Sequence, residues 1–255
     1  MKKSPSITNK LPALAAGTIL LLLWQSVCSL DLVPAYMLPS PVQVLKALWI
    51  DRAVLWDNAL VTLQEAFAGL FLGVALGFSF ALLMDSFDLL RRAIYPILVL
   101  TQTVPTVAIA PLLVLWLGYG LTPKIVLIVL TTFFPVAVGL LDGFGSADPD
   151  AVGLLRSMGA GRWQIFRYIK FPGALPQFFS GLRIATAYCV VGAVISEWLG
   201  GFAGLGVYMT RVRKAFAFDK MFAVIILISV ISLALMALVD LLRRVCMPWQ
   251  EEQSN

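Results

Sequence analysis

Thirty-one consecutive residues, 93 to 123, carry no charged side chain, and that interval alone restricts what the chain can become. About 20 apolar residues cross the hydrocarbon core of a bilayer, so an uncharged run of this length belongs in lipid. Of 255 residues, 60% are hydrophobic and 13% charged, against about 25% charged in an ordinary soluble domain. A soluble globule of this length has too little interior to hide so much apolar surface. The expected fold class is therefore all-α: a polytopic membrane protein whose backbone polar groups are satisfied inside helices and whose outer surface meets membrane lipid.

The net charge of +5 does not point to nucleic acid, because the basic residues are scattered and lack interleaved aromatic platforms. Cys28, Cys189 and Cys246 have no metal-ligand spacing and lie in or beside apolar runs, so they read as packing residues. The chain has no histidine, which removes the usual general base and the commonest transition-metal ligand. A membrane-embedded enzyme would need a His, Cys or acid constellation, and none is found. No enzymatic activity, metal or cofactor is expected.

Charge-free intervals and helix breakers divide the chain into six expected transmembrane helices. The first lies between Lys10 and Asp31. Lys2, Lys3 and Lys10 ahead of it resemble the start of a signal peptide, but the apolar run is long and no small-x-small cleavage site follows. Gln25 also does not suit a lipoprotein site at Cys28, so the segment reads as an uncleaved helix. The second span covers about 59–84, with Gly69, Gly73 and Gly77 at i, i+4 and i+8. That ladder bares one helix face to a neighbouring backbone. The third is a kinked span between Arg92 and Lys124, broken by Pro96, Pro105, Pro111 and the Gly118-Tyr119-Gly120 turn. The fourth covers 124–141 with an interruption at Pro135, the fifth 182–199 and the sixth 221–242. The expected units are 1–30 (tail and first helix), 31–58 (outer connection), 59–244 (the main transmembrane unit, with a loop at 142–181) and the tail 245–255. No internal repeat is present.

Lysine and arginine placement orients the chain. With the N-terminus inside, the inner segments hold Lys2, Lys3, Lys10, Arg91, Arg92, Arg156, Arg162, Arg167, Lys170, Arg183, Arg243 and Arg244, twelve of the nineteen. The outer segments hold the other seven: Lys46, Arg52, Lys124, Arg211, Arg213, Lys214 and Lys220. Both termini are therefore expected in the cytoplasm. Residues 200–210, ahead of the basic outer loop, are expected to dip into the protein interior. In the outer connection, Ser40 as N-cap and Pro41 at the first helical position predict a short amphipathic helix lying on the outer surface, with Val44, Leu45 and Leu48 apolar.

Several polar residues lie at membrane depth. Thr101, Gln102, Thr103 and Pro105 interrupt the third span, and unpaired polar groups there are costly in lipid. They face a path or a partner helix, or the threonines bond their own backbone around a proline kink. Glu65 and Glu197 are intramembrane acids and functional candidates on that ground. The simpler alternative is solvation near the interface or pairing with Arg211 or Arg213. Asp240 reads as a helix-end charge beside Arg243 and Arg244. Thr101, Gln102, Pro105 and Glu197 are the expected residues of a translocation path.

The loop 148–176 is polar and helix-competent between two apolar blocks. Asp148 is a good N-cap, Pro149 fits the first helical position and Asp150 complements the helix dipole. This helix is expected to reach about Met158 and stop at Gly159-Ala160-Gly161. A second short helix, 163 to about 169, ends at breaks set by Pro172 and Pro176. Two helices held across a glycine turn form a rigid knob. Leu154, Leu155 and Met158 are suited to filling a partner's pocket, and Arg156 and Arg162 to reaching carboxylates. The plainer alternative is an amphipathic pair resting on lipid headgroups.

Gly159, nine residues, Ile169, one residue, then Phe171-Pro172 resembles the cytoplasmic loop signature of permease subunits in binding-protein-dependent ABC importers. Two departures from that signature matter: Gly153 stands where the family usually has Glu, and Phe171 replaces Leu. MLPSPVQVLKALW, QTVPTVAIAPLLVLWLGYG, DPDAVGLLRSMGA and LRIATAYCVVGAVISEWLG together resemble the nitrate, sulfonate, taurine and hydroxymethylpyrimidine group. SEWLGGFAGLGVYMTRVRKAFAFDKMFAVI leans to the hydroxymethylpyrimidine, or thiamine-precursor, branch. The resemblance implies a type I ABC importer transmembrane fold in the bacterial inner membrane. It makes the loop a coupling helix that docks on a cytoplasmic ATP-binding subunit through Asp150, Leu154, Leu155, Arg156, Ser157, Met158, Gly159, Ala160 and Arg162. It also implies a periplasmic or lipid-anchored substrate-binding protein and a homodimer. The cargo would be a hydroxymethylpyrimidine-type solute, with an alkanesulfonate, taurine or nitrate as the alternative. No GxxxxGK[ST] phosphate loop is present, so ATP is expected to bind elsewhere. A secondary transporter would call for paired repeats and central acids, and neither is seen.

Overall fold

The computed structural model describes residues 11–34 and 37–248. Lys2, Lys3 and Lys10 of the charge count, and the tail beyond 248, lie outside the described residues. Among the described residues the structure is helical, without strands: α1 (Leu11–Ser29), α2 (Pro41–Ile50), α3 (Arg52–Ser86), α4 (Asp88–Thr103), α5 (Thr106–Leu117), α6 (Leu121–Gly145), α7 (Pro149–Ser157), α8 (Arg162–Ile165), α9 (Phe171–Gly200), α10 (Leu205–Lys214) and α11 (Phe218–Cys246). A π-helical turn, Phe166–Lys170, joins α8 to α9. Four helices are long and apolar enough to cross a membrane: Arg52–Ser86, Leu121–Gly145, Arg162–Gly200 and Phe218–Cys246. Taken together, α4 and α5 are long and apolar enough for a fifth, broken span. Helix α1 supplies a shorter apolar stretch, Ala15–Ser29.

The packing centre is α6 between α3 and α9, and the glycines explain why these three helices come so close. Ideal Cβ atoms added at Gly69, Gly73 and Gly77 of α3 would collide with Ile128, Thr132, the Phe133 carbonyl and Val136 of α6. The small-residue ladder is thus an interface, as its spacing predicts. On the other side of α6, a Cβ at Gly139 would stand 2.8 Å from the Gln177 carbonyl, and one at Gly143 2.7 Å from Ala174 Cα. Ala81, Val136, Leu140, Phe144, Ala174 and Ala185 fill the shared core.

Several expectations are corrected. The third span is broken at Pro105, as expected, into two helices bent by 100°, but Pro96 and Pro111 lie inside α4 and α5 without breaking them. The break falls at Val104-Pro105, because Pro105 holds its neighbour extended (Val104 φ −84, ψ 121). Pro135 does not interrupt α6, which runs unbroken between its two packed neighbours. Pro172 and Pro176 do not end the second loop helix either. In the π turn the Phe171 N–H reaches back five residues to the Phe166 carbonyl, so the ladder has already shifted where Pro172 offers no N–H. The result is one continuous helix from Arg162 to Gly200.

Helix α3 starts seven residues earlier than its expected apolar core, and its first turns pack against α10 through Leu55, Ala59, Leu205, Tyr208 and Val212. Helix α2 carries the expected cap in full. Ser40 Oγ accepts from Gln43 N–H at 3.3 Å, and Gln43 Oε1 accepts from Ser40 N–H at 2.8 Å. Val44 and Ala47 pack on Ala223, with Trp24, Leu48, Phe222 and Ile226 around them, while Leu45 points outward. The segment expected to dip inward becomes α10, an amphipathic helix with Leu205, Gly206, Tyr208 and Val212 buried.

Candidate functional site

The chain path places α7 and α8 at one end of the bundle and α2 and α10 at the other. At the first end, Asp148 caps α7 by accepting from the Asp150 N–H at 2.9 Å, with Asp150 in the first turn and Arg156 in the last, both favourable to the helix dipole. The helix closes in a Schellman motif: Ala160 N–H donates to Leu155 O at 2.9 Å and Gly159 N–H to Arg156 O at 3.0 Å. Gly159 adopts φ 85 with open space around it. The glycine is required by its left-handed backbone, which costs other residues about 1–2 kcal/mol, and not by crowding. Gly161 then opens α8, its N–H donating to Gln164 Oε1 at 2.8 Å.

The resulting knob presents large apolar side chains outward. Leu154 is 63% exposed, Met158 73% and Trp163 68%. Asp150, Arg156, Ser157 and Arg162 are also exposed, while Leu155 and Ala160 are half-buried inside the turn. Leu155 therefore braces the knob, and Leu154 and Met158 form its apolar tip. Ser157 Oγ donates back to Leu154 O at 2.8 Å. Gly153 sits on an open face, so the residue that departs from the signature affects no packing. Phe171, the other departure, joins Phe78 and Phe166 in an aromatic cluster that reaches Phe144 of α6 and Trp163 of the knob. Lys170 Nζ donates to both oxygens of Asp85 at 2.8 and 2.9 Å, tying the π turn to the end of α3. Between them lies a cleft of about 720 Å³ lined by Asp85, Asp88, Arg156, Arg162 and Trp163 among others.

The residues expected along a path fall in two places. Thr101, Gln102 and Pro105 are exposed at the α4–α5 bend. Thr101 and Thr103 hydroxyls donate to the carbonyls of Leu98 and Leu100 at 2.6 and 2.8 Å, the local bonding weighed for the threonines. Glu197 is 1% exposed. It accepts from Thr62 Oγ1 at 2.7 Å and from the Gly206 N–H at 2.6 Å, and it also borders a recess of about 560 Å³ lined by Tyr119, Trp198, Phe202, Arg211 and Lys214.

Neither intramembrane acid pairs with Arg211 or Arg213. Glu65 pairs with Lys124 at 2.5 Å, both buried. Lys124 is therefore an interior cation of α6 and not an outer-loop charge. Asp240 likewise faces Arg183, 3.7 Å away on α9. Sequence reasoning missed Asn58, Thr62 and Tyr208. A period of three to four from Glu65 places Thr62 and Asn58 on its helix face, the one signal that was available.

At the α10 end, Tyr208 donates to Asp51 Oδ2 at 2.5 Å and Lys220 Nζ stands 2.7 Å from the same oxygen. Burial alone would raise the Asp51 carboxyl, but the Lys220 ammonium and the Tyr208 hydroxyl outweigh it and hold it below the usual value. Burial, then the Asp51 carboxylate, pushes Tyr208 upward, so it stays a protonated donor at neutral pH. A carboxyl depressed in the folded state stabilises fully above its unfolded value of about 4, and that contribution is lost as pH falls below it. Protection of the α10 amides, their exchange rate relative to unstructured peptide at the same pH, is expected to fall below about pH 4 in the native protein. Asp51→Asn is expected to exchange faster at neutral pH and to lose that acid limb. An unchanged acid limb in Asp51→Asn would remove the assignment.

Comparison with known proteins matches residues 69–246 to a family described as "Binding-protein-dependent transport system inner membrane component". The formylaminopyrimidine transport permease protein ThiX of Halalkalibacterium halodurans is 37% identical over 219 residues, 86% of this chain and 88% of that protein. The riboflavin transport system permease protein RibX of Chloroflexus aurantiacus is 34% identical, covering 94% of this chain and 91% of that protein. The taurine transport system permease protein TauC of Escherichia coli is 33% identical, covering 94% and 90%. Among solved structures, an inward-facing MetNI methionine ABC transporter is similar at a TM-score of 0.67 and 20% identity, over 76% of this chain and 96% of that one. At that identity the likeness is one of fold.

Proposed function

The chain belongs to the family of binding-protein-dependent transport system inner membrane components, and from that membership we propose how it works and what it carries. It is a multi-pass inner-membrane permease subunit of an ABC importer, not an enzyme, and its partners are an ATP-binding subunit and a substrate-binding protein. The mechanism rests on the exposed apolar tip Leu154, Met158 and Trp163, carried on a helix pair whose second member, α8, runs on into α9. Met158 and Trp163 are of the residue types enriched at interfaces, and Leu154 extends the same exposed apolar tip on a capped, braced turn. The knob, including Asp150, Arg156, Ser157, Gly159, Ala160 and Arg162 with Leu155 bracing it, receives the ATPase. ATP-driven closure of the ATPase then shifts the spans between inward-open and outward-open states, which requires that it bind one state more tightly.

The knob end faces the cytoplasm, as do both termini. Removing buried Lys124 from the outer charge count strengthens that bias. Two copies enclose one path, with Thr101, Gln102 and Pro105 of the broken α4–α5 crossing exposed toward it. Glu197, expected along the path, is buried against Thr62 and the start of α10 and takes no part in contacting cargo. The cargo is a hydroxymethylpyrimidine-type thiamine precursor, a reading supported by the pyrimidine named for the relative at 37% identity. The taurine relative at 33% keeps a sulfonate as the second reading. Proteoliposomes holding the permease, its ATPase and its binding protein decide between them: ATP-dependent uptake of labelled hydroxymethylpyrimidine, uncompeted by taurine, is expected. Taurine uptake without pyrimidine uptake would overturn the cargo.

A further inference from the structure

Helix α10 starts with no capping side chain of its own. Its N-cap is Gly204, at φ 120. Yet the buried amides of Gly204, Leu205 and Gly206 are each paired by a side chain of another helix. Gly204 N–H donates to Asn58 Oδ1 at 2.9 Å, Leu205 N–H to Thr62 Oγ1 at 2.9 Å and Gly206 N–H to Glu197 Oε2 at 2.6 Å. The Thr62 hydroxyl in turn donates to Glu197 Oε1 at 2.7 Å. A carboxylate at a helix N-terminus is electrostatically favourable as well as a hydrogen-bond acceptor. The fit is close: a Cβ at Gly206 would stand 2.9 Å from Glu197 Oε2 and 2.5 Å from the Val194 carbonyl, and one at Gly204 would overlap the Glu197 carboxyl.

Asn58 and Thr62 belong to α3, whereas Glu197 belongs to α9. Helix α9 is continuous with the knob over 39 residues, about 58 Å at helical rise. The remaining polar ties of α10, to Asn58, Thr62 and Asp51, reach only α3 and its first residues. We propose that Glu197 is a positioning residue that makes α10 move with α9, so that an event at the α10 end is reported to the knob and the knob's displacement is delivered to α10. Helix α10 exposes Arg211, Arg213 and Lys214 at the end opposite the knob, where a substrate-binding protein has to arrive.

The inference rests on the importer reading and is tested in the assembled complex. ATP hydrolysis is measured in lipid nanodiscs with and without the substrate-binding protein of the same system. Glu197→Ala is expected to keep ATPase association and basal hydrolysis while stimulation by the binding protein falls about fivefold or more, the scale of a lost inter-site coupling. Glu197→Gln, which keeps an oxygen acceptor for the Gly206 N–H, is expected to recover most of the stimulation. Where the alanine variant does not accumulate, Glu197→Asp withdraws the carboxylate by one methylene and serves in its place. Reduced stimulation over intact basal hydrolysis supports the proposal. Full stimulation in these variants overturns it, as does equal loss of assembly, basal rate and stimulation without rescue by Gln. Wild-type complex that neither assembles nor responds removes the importer reading itself, whereas a responsive wild type with unaffected variants removes only the role of Glu197.

Discussion

Leu154→Asp is expected to release the permease from its ATPase and to abolish uptake without harming the fold. Leu154 is 63% exposed and Met158, four residues on, is 73% exposed, so the two share one face of α7 and its cap. Neither supports the bundle interior. A carboxylate placed on a desolvated anchor typically costs more than about 2 kcal/mol, roughly a thirtyfold loss of affinity, and Leu154→Asp with Met158→Asp removes both anchors. Pull-down of the ATPase from detergent extracts is expected to fall below detection in the double variant, while membrane accumulation and melting temperature stay within error of native. Leu155→Asp should behave differently. Leu155 is half-buried and its carbonyl closes the Schellman turn, so that change is expected to lower thermal stability as well. Retained ATPase pull-down in the double variant would show that the knob is not the docking element.

Gly181→Leu is expected to have the other large effect, on assembly of the bundle itself. A Cβ at Gly181 would overlap the Pro135 carbonyl oxygen and stand 3.0 Å from its carbon and 3.4 Å from Val136 Cα. Ordinary overpacking costs about 1–3 kcal/mol because side chains shift. Here the obstacle is the backbone of α6, which is packed on its far side against the α3 glycine ladder and has nowhere to retreat. The variant is expected to fail to accumulate in the membrane or to melt far below native. Gly145→Leu is the control: nothing lies within 4 Å of a Cβ there, and it should be neutral. Equal thermal stability of Gly181→Leu and Gly145→Leu would contradict the packing account.

The features legible in the sequence are those written locally. Gly69, Gly73 and Gly77 announce a close helix approach because only spacing and size matter. Asp148-Pro149 and Gly159 announce the knob because caps and left-handed turns are chosen by neighbouring residues. Lys124 shows the limit. A charge inside an apolar sequence reads as a membrane boundary, and its partner Glu65 lies 59 residues away, visible only once α3 and α6 are packed. Glu197 is similar: its position marks it as unusual, but its partners on α3 and α10 depend on tertiary placement. Prolines were legible as perturbations and not as outcomes. Pro105 breaks a helix by 100° where no neighbour resists, whereas Pro135 and Pro172 are absorbed by packing and by a shifted hydrogen-bond register.

Photo-cross-linking in native membranes reads docking of the ATPase on the α7–α8 knob without disturbing either protein. A photoreactive residue at Met158 is compared with one at Ile50, which is similarly exposed but at the opposite end of the bundle. A permease–ATPase adduct is expected from position 158 and none from position 50. An adduct from position 50, or none from 158 while ATP-dependent uptake persists, would contradict docking on the knob.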